Sequence, residues 1–240
     1  MSIYNDILSA KAKQEKLLAI LIDPDKFDIN LASQFADKIN KSNITHIFVG
    51  GSTVEVEVTQ QLVSKLKPLT NLPIVLFPGD VTQISKDADA ILFLSLISGR
   101  NPKYLIEKQI EAVSILKNIN LEVIPTGYIL IENGKETTVQ KVTNTQPIPI
   151  ALQQLVADTA KAGEFLGKKL IYLEAGSGAA HPVPSKIISF VKQDLNIPLI
   201  VGGGIRSKQQ LDEAYQAGAD IVVIGTAFEN DESFFDHIKK

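Results

Sequence analysis

NIPLIVGGGIRSKQQLDEAYQAGADIVVIGT, residues 196–226, holds two short apolar runs with a helical pattern between them. Pro198–Val201 and Ile221–Ile224 are apolar throughout rather than alternating, as strands covered on both faces of a parallel sheet must be. Lys208–Ala217 carries apolar residues at helical spacing. Each strand runs into glycine: Gly202-Gly203-Gly204-Ile205-Arg206-Ser207 after the first, Gly225-Thr226 after the second. Glycine lets a backbone approach an anion closely and turn its amides inward. At the ends of consecutive strands, two such segments form a phosphate cradle, and the loops after strands seven and eight of a barrel are where phosphate is commonly held.

The same unit recurs along the chain. Further apolar runs lie at Leu17–Ile22, His46–Val49, Ile74–Phe77, Ala90–Leu94, Leu121–Ile124 and Leu170–Leu173. Helical patterns fill Asn30–Asn40, Glu55–Leu66, Pro102–Lys117, Ile150–Phe165 and Ser185–Gln193, with a last short helix expected over Asp231–Ile238. Eight strands alternating with helices predict a single (β/α)8 barrel domain over residues 1–240, an open doubly wound sheet being the alternative. Only residues 78–89 separate strands three and four, too few for a full barrel helix. The outer ring is therefore expected to lack that helix or to hold a short segment in its place. Residues 129–149 form an inserted loop after strand five, and long loops after barrel strands usually cover the active site.

Bulk composition excludes several classes. A net charge of −3, from 24 basic and 27 acidic residues, offers no footprint for nucleic acid. Absence of cysteine excludes disulfides and thiolate metal sites. Residues 1–16 are polar and mixed in charge, and the run after them is too short for a signal or a membrane span, so a cytoplasmic protein is expected.

Opposite the cradle, strand one ends in Asp23-Pro24-Asp25-Lys26 and strand two in Gly50-Gly51-Ser52-Thr53. A carboxylate at a strand end beside a phosphate site suits a hard cation such as Mg²⁺, with the Ser52 hydroxyl in reach of the same ion. Asp25 serves equally as a helix cap, and Asp28 reads as one. The two arginines, Arg100 and Arg206, both follow strands at the expected active face, and the planar guanidinium fork favours phosphate. Glu174 and Tyr128 are expected just past the ends of strands six and five, where a carboxylate acts as a base or steadies positive charge. Tyr172 reads as a packing residue with a polar tip, and His46, His181 and His237 as surface or loop residues.

Taken in order, Asp23-Pro24-Asp25-Lys26, Gly50-Gly51-Ser52, Pro125-Thr126-Gly127-Tyr128, Tyr172-Leu173-Glu174-Ala175-Gly176-Ser177-Gly178, Gly202-Gly203-Gly204-Ile205 and Gly225-Thr226 resemble the geranylgeranylglyceryl phosphate synthase family, which includes the bacterial heptaprenylglyceryl phosphate synthases. The resemblance covers nearly the whole chain. It implies a modified barrel lacking one helix, and a prenyltransferase that joins sn-glycerol 1-phosphate to a long polyprenyl diphosphate, geranylgeranyl diphosphate first among them, through an ether. By the same resemblance Mg²⁺ sits on Asp23 and Ser52. Tyr172, Leu173, Glu174, Ala175, Gly176, Ser177 and Gly178, with Gly203, Gly204, Gly225 and Thr226, hold glycerol phosphate. From their positions Glu174 and Tyr128 are expected to serve catalysis, and Arg100, by its guanidinium fork, to meet diphosphate; the family's dimers and larger rings imply a homo-oligomer. Many family members carry a lysine two positions before the metal aspartate; Leu21 stands there, which resembles the second of the family's two groups, with Arg206 or Lys26 as candidate replacements.

Two other readings compete on residues alone. An aldolase would need a Schiff-base lysine inside a strand, and a sugar-phosphate isomerase would need paired acid and base groups on strands one and five. No expected strand has an interior lysine, and strand five offers Thr126 and Tyr128. A non-catalytic phosphoprenyl-binding protein would not need Asp23, Glu174 and both cradle loops together.

Overall fold

The computed structural model describes residues 2–225. Eight parallel strands close into a barrel in chain order: β1 Leu17–Ile22, β2 His46–Val49, β3 Ile74–Leu76, β4 Ala90–Leu96, β5 Glu122–Leu130, β6 Leu170–Glu174, β7 Leu199–Gly202 and β8 Ile221–Ile224. The helices are α1 Ile3–Ala12, α2 Ala32–Asn40, α3 Val58–Leu66, α4 Lys108–Leu116, α5 Thr138–Thr143, α6 Gln153–Phe165, α7 Ser185–Asp194 and α8 Lys208–Gln216. Strand alternation divides the core in two. Ala19, Phe48, Leu92, Ile124, Tyr172 and Val223 fill the barrel, whereas Ile20, Ile47, Leu76, Leu173, Val156 and Ile188 pack between strands and helices. The expected helix over Asp231–Ile238 lies outside the described residues, as do Thr226 and His237.

Residues 1–16, read as a polar lead-in, contain α1 instead. Ser2 caps it by accepting from the Asn5 amide, and Ile7 and Ala10 are buried on one face. Ile3, Tyr4 and Ile7 pack against the cluster inside the barrel, so α1 closes the barrel's lower end. Glu122, the first residue of β5, fixes it there: its carboxylate accepts from the Ser2 hydroxyl at 2.7 Å and from the Ile3 and Tyr4 amides at 2.6 and 3.1 Å.

β5 runs well beyond Ile124, because Pro125 does not stop it. The Pro125 carbonyl accepts from Lys169 N at 2.8 Å, just below the first residue of β6, where the missing N–H costs no ladder bond. Tyr128 therefore lies within β5 opposite Tyr172, and Glu174 is the last residue of β6. His46, expected at the surface, is buried in β2, and burial holds its imidazole down at about 4, neutral against the Thr45 hydroxyl.

Between β3 and β4 there is no α-helix, only a 3₁₀ turn at Val81–Gln83. β3 pairs with β4 at Val75↔Ala90 and Leu76↔Ile91 alone, so Leu92–Leu96 rise past the end of β3 and leave a slot in the upper wall. The buried Gln83 side chain bridges the loops beside this slot. Its carbonyl accepts from the Gly51 and Gly79 amides at 3.2 and 3.3 Å, and its amide donates to the Gly51 carbonyl at 2.9 Å. Gln83→Leu strands these backbone groups, and urea denaturation is expected to show a loss of about 1–3 kcal/mol; unchanged stability would refute the bridge.

Candidate active site

At the upper end of the barrel a mouth of about 1270 Å³ collects residues from most of the strand ends. On one side stand Asp23 and Asp25 after β1 and Gly51-Ser52 after β2; on the other stand Glu174, Gly176, Ser177 and Gly178 from β6 and its loop, then Gly203, Gly204 and Arg206 after β7 and Gly225 after β8. Leu21, at the position where the resemblance implies a lysine in many members, lines the same mouth. Leu173 and Ala175 do not: period-two alternation turns their side chains into the outer packing layer. What Ala175 offers is backbone, its amide donating to the Gly202 carbonyl at 3.1 Å. Arg100 is exposed and lies away from the mouth, its Nη1 donating to the Gly99 and Ile97 carbonyls at 2.7 and 3.2 Å.

Glu174 is the chemical centre of the cradle side. It is buried, and its Oε1 accepts from the Gly176 amide at 2.7 Å. Burial raises its pKa, opposed by the Gly176 amide and the Tyr172 hydroxyl, and leaves it at about 7 instead of the ordinary 4.5. The Tyr172 hydroxyl is close enough to favour the carboxylate, yet it lacks full hydrogen-bond geometry and stands without a partner. Tyr172 and Tyr128 are themselves pushed well above the ordinary phenol value, by burial first and then by the Glu174 charge. Both rings stay neutral while Glu174 titrates.

Glycine is required beside this carboxylate. Gly203 has φ +82°, and a Cβ there would run into Glu174 Oε1 and the Ala175 and Gly176 amides. Gly204, at φ +73°, lies against the His181–Pro182 backbone in the same way. α8 begins directly after this loop, Ser207 capping it by accepting from the Gln210 amide. Its first amides add the partial positive charge that favours an anion. Arg206 Nη2 donates to the Ala179 carbonyl at 2.6 Å, which joins the loops after β6 and β7.

Across the mouth, Asp23 holds Lys26 at 2.5 Å, and Asp25 accepts from the Glu55 amide at 3.1 Å. Among the described residues no cluster of three His, Cys, Asp or Glu side chains stands ready for a metal. Asp23 and the Ser52 hydroxyl are hard oxygen donors that fit a cation taking its other ligands from phosphate oxygens and water, as Mg²⁺ does.

A second cavity, about 870 Å³ and mostly apolar, runs down the outside of the wall where the helix is missing. The upper half of β4, the 3₁₀ turn and α4 form its sides, and Val139 and Val142 of α5 cover it. It meets the mouth at Gly51, Ser52, Phe77, Tyr128 and Val139, which line both cavities. At this junction the rings of Phe77, Tyr128 and Tyr172 pack with centroids 5.1–5.9 Å apart. Sequence reasoning missed Phe77, Val139 and Lys108, because it had no means of telling which residues would face a slot. A single turn of π-helix, Lys103–Glu107, leads into α4, and Tyr104 donates from it to the Val142 carbonyl at 3.1 Å.

Fold and site together define a phosphate-binding barrel enzyme with an apolar channel opening into its active site. The chain belongs to the PcrB family, whose model matches residues 10–240. It is 58% identical over 235 residues to a geranylgeranylglyceryl phosphate synthase of Flavobacterium johnsoniae, covering 98% of this chain and 97% of that one. It is 45% identical over 220 residues to the enzyme of the same name from Thermococcus kodakarensis, covering 91% and 86% of the two chains. Among solved structures it is similar to (S)-3-O-geranylgeranylglyceryl phosphate synthase from Thermoplasma acidophilum in complex with substrate sn-glycerol-1-phosphate, with a TM-score of 0.91 and 32% identity over 98% of this chain and 95% of that one.

The raised Glu174 value carries a sign for stability. The folded state keeps the proton that the unfolded state gives up, so the contribution is complete below 4.5 and disappears as pH rises through about 7. Compared with Glu174→Gln, the wild type is expected to lose roughly 1 kcal/mol per pH unit across that window and to run parallel outside it. Parallel denaturation curves throughout would mean that Glu174 titrates normally.

Proposed function

We propose that the protein is a prenyltransferase of the geranylgeranylglyceryl phosphate synthase type, forming an ether between sn-glycerol 1-phosphate and a long polyprenyl diphosphate, geranylgeranyl diphosphate above all. One observation carries this reading: a glycine-lined mouth holding Asp23, Glu174 and Arg206 and a smaller, mostly apolar groove meet at Phe77 and Tyr128. A sugar-phosphate enzyme has no use for such a groove, whereas a substrate with an anionic head and a long apolar tail needs both parts. The names of its relatives agree with this.

In this reading Gly176–Gly178, Gly203, Gly204 and Gly225 hold glycerol phosphate, with Thr226 as a further candidate beyond the described residues. The terminal hydroxyl faces Glu174 and Tyr172. The diphosphate lies at Asp23 and Ser52 with its tail in the groove. Mg²⁺ bound there by Asp23 and Ser52 would neutralise charge on the departing diphosphate. Lys26, whose side chain is 59% exposed, can turn from Asp23 towards the diphosphate. Arg206, beside the cradle, is the better placed of the two candidate substitutes for the lysine missing at position 21.

The reaction breaks the bond between the allylic carbon and the diphosphate oxygen and forms one from that carbon to the glycerol oxygen. Positive charge developing on the carbon faces the rings of Phe77 and Tyr128, whose electron-rich faces stabilise it. The hydroxyl proton passes to Glu174, which at neutral pH is poised between its two forms. Both groups are held before the carbon loses its leaving group, so orientation contributes much of the rate. Tyr128, protonated throughout, lends shape and ring electrons rather than a proton.

Two coarser expectations belong to the same reading. The outward faces of α4 and α6 expose Ile110, Val113, Leu155 and Phe165, which supports assembly into homo-oligomers. A cytoplasmic setting agrees with the absence of cysteine, and no helix among the described residues is long and apolar enough to cross a membrane.

The test is a product assay offering each glycerol phosphate enantiomer with geranylgeranyl diphosphate and Mg²⁺. Ether product and diphosphate are expected from the sn-1 enantiomer alone. Chelation should abolish turnover, and Asp23→Ala should lower it at least about 100-fold. Turnover of a sugar phosphate, or no prenyl transfer by the wild type, would overturn the reading.

A further inference from the structure

The groove is almost wholly apolar, yet it carries one pair of charges. Among the described residues Asp80 and Lys108 are the only charged ones that line it, and they lie 2.9 Å apart. Asp80 follows β3 and caps the 3₁₀ turn by accepting from the Thr82 amide at 3.3 Å; Lys108 is the first residue of α4. The pair therefore ties together the two walls that a barrel helix would otherwise join. It is not buried. Lys108 is 19% exposed and Asp80 38%, and Glu111 holds a second contact to Lys108 at 2.7 Å.

We infer that the Lys108–Asp80 ion pair is a latch across the solvent side of the tail groove, and that it sets which prenyl chains the groove accepts. The inference rests on the prenyltransferase reading and adds to it a determinant of specificity. Several observations agree. The upper half of β4 pairs with β5 but has no strand on its β3 side, so nothing in the sheet itself fixes the distance from the 3₁₀ turn to α4. Gln109, next to Lys108, donates from its side chain to the Leu94 carbonyl and thereby anchors α4 to β4 but not to the turn. The far wall is held to the loops above by Gln83, leaving the pair as the bond across the gap. Burial pushes the Asp80 carboxyl up, but the Lys108 ammonium together with the Thr82 and Val81 amides outweighs this and holds it below the usual carboxylate range. A partly exposed ion pair is worth little net energy, because water competes for both partners. It can open to admit a tail and close behind it. A tail that is too long or too bulky holds the latch open and loses the closed groove.

The experiment compares kcat/KM for farnesyl, geranylgeranyl, hexaprenyl and heptaprenyl diphosphates in the wild type, Asp80→Asn, Lys108→Gln and the double variant. Asparagine keeps the cap on the turn, and in Asp80→Asn Lys108 retains Glu111, so that variant leaves no charge stranded. Each single change is expected to move the ratio of the long chains to geranylgeranyl by about tenfold in favour of the long ones. KM for glycerol phosphate should stay unchanged. The double variant should match the singles, because the second change has no pair left to break. An unmoved ratio in either single, additive effects in the double, or a parallel change in glycerol phosphate KM would overturn the latch while leaving the prenyltransferase reading intact. A wild type that transfers no prenyl group would instead refute that reading and the latch with it.

Discussion

The seven residues of β4 outrun the three of β3, and the barrel cannot close its upper wall between them. A full helix after β3 would have covered the step and left a conventional closed cylinder. Here a 3₁₀ turn takes its place, and the part of β4 left without a partner on its β3 side becomes the inner side of an apolar groove. The groove enters the mouth through the same gap, past Phe77 and Tyr128. The contact between a lipid tail and a phosphate site thus follows from a mismatch in strand length. Gln83 steadies the β3 edge of the gap by accepting from the half-buried Gly51 and Gly79 amides, which would otherwise lack a protein partner.

The cradle side obeys a different constraint. Glu174 is buried among backbone amides and aromatic rings, so its charged form is costly and its proton is held up to neutrality. Positive-φ glycines at 203 and 204 make room for that carboxylate and for an anion at the same time. Across the mouth, Asp23 stands in wetter surroundings and is satisfied by Lys26. In the proposed reaction, such unlike surroundings would let one carboxylate serve a proton and the other a cation.

Much of this was legible in the chain. Continuous apolar runs located every strand, and glycines after β7 and β8 marked the cradle. The short link of residues 78–89 foretold the missing helix. Other features were hidden for identifiable reasons. Pro125 looked like a strand end, yet its missing N–H faces β6, whose pairing begins only at Thr126 and Leu170, so no ladder bond is lost. α1 was obscured by exposed charge around a narrow apolar face of Ile3, Ile7 and Ala10. His46 looked like a loop residue, although its place at the start of a buried strand keeps it neutral and enclosed. Leu173 and Ala175 were drawn into the cradle by a contiguous motif, whereas strand alternation sends their side chains to the opposite face.

What the sequence determined by itself is periodic or local: apolar runs that must be covered on both faces, glycines where φ must be positive, and a link too short for a helix. These follow from sterics and solvation acting over a few neighbouring residues. The tertiary structure alone decided which residues share a cavity, because that depends on closure of the barrel and on the relative heights of its strands. Lys108 meets Asp80, and Phe77 meets Tyr128 and Tyr172, across separations in the chain that no local pattern encodes.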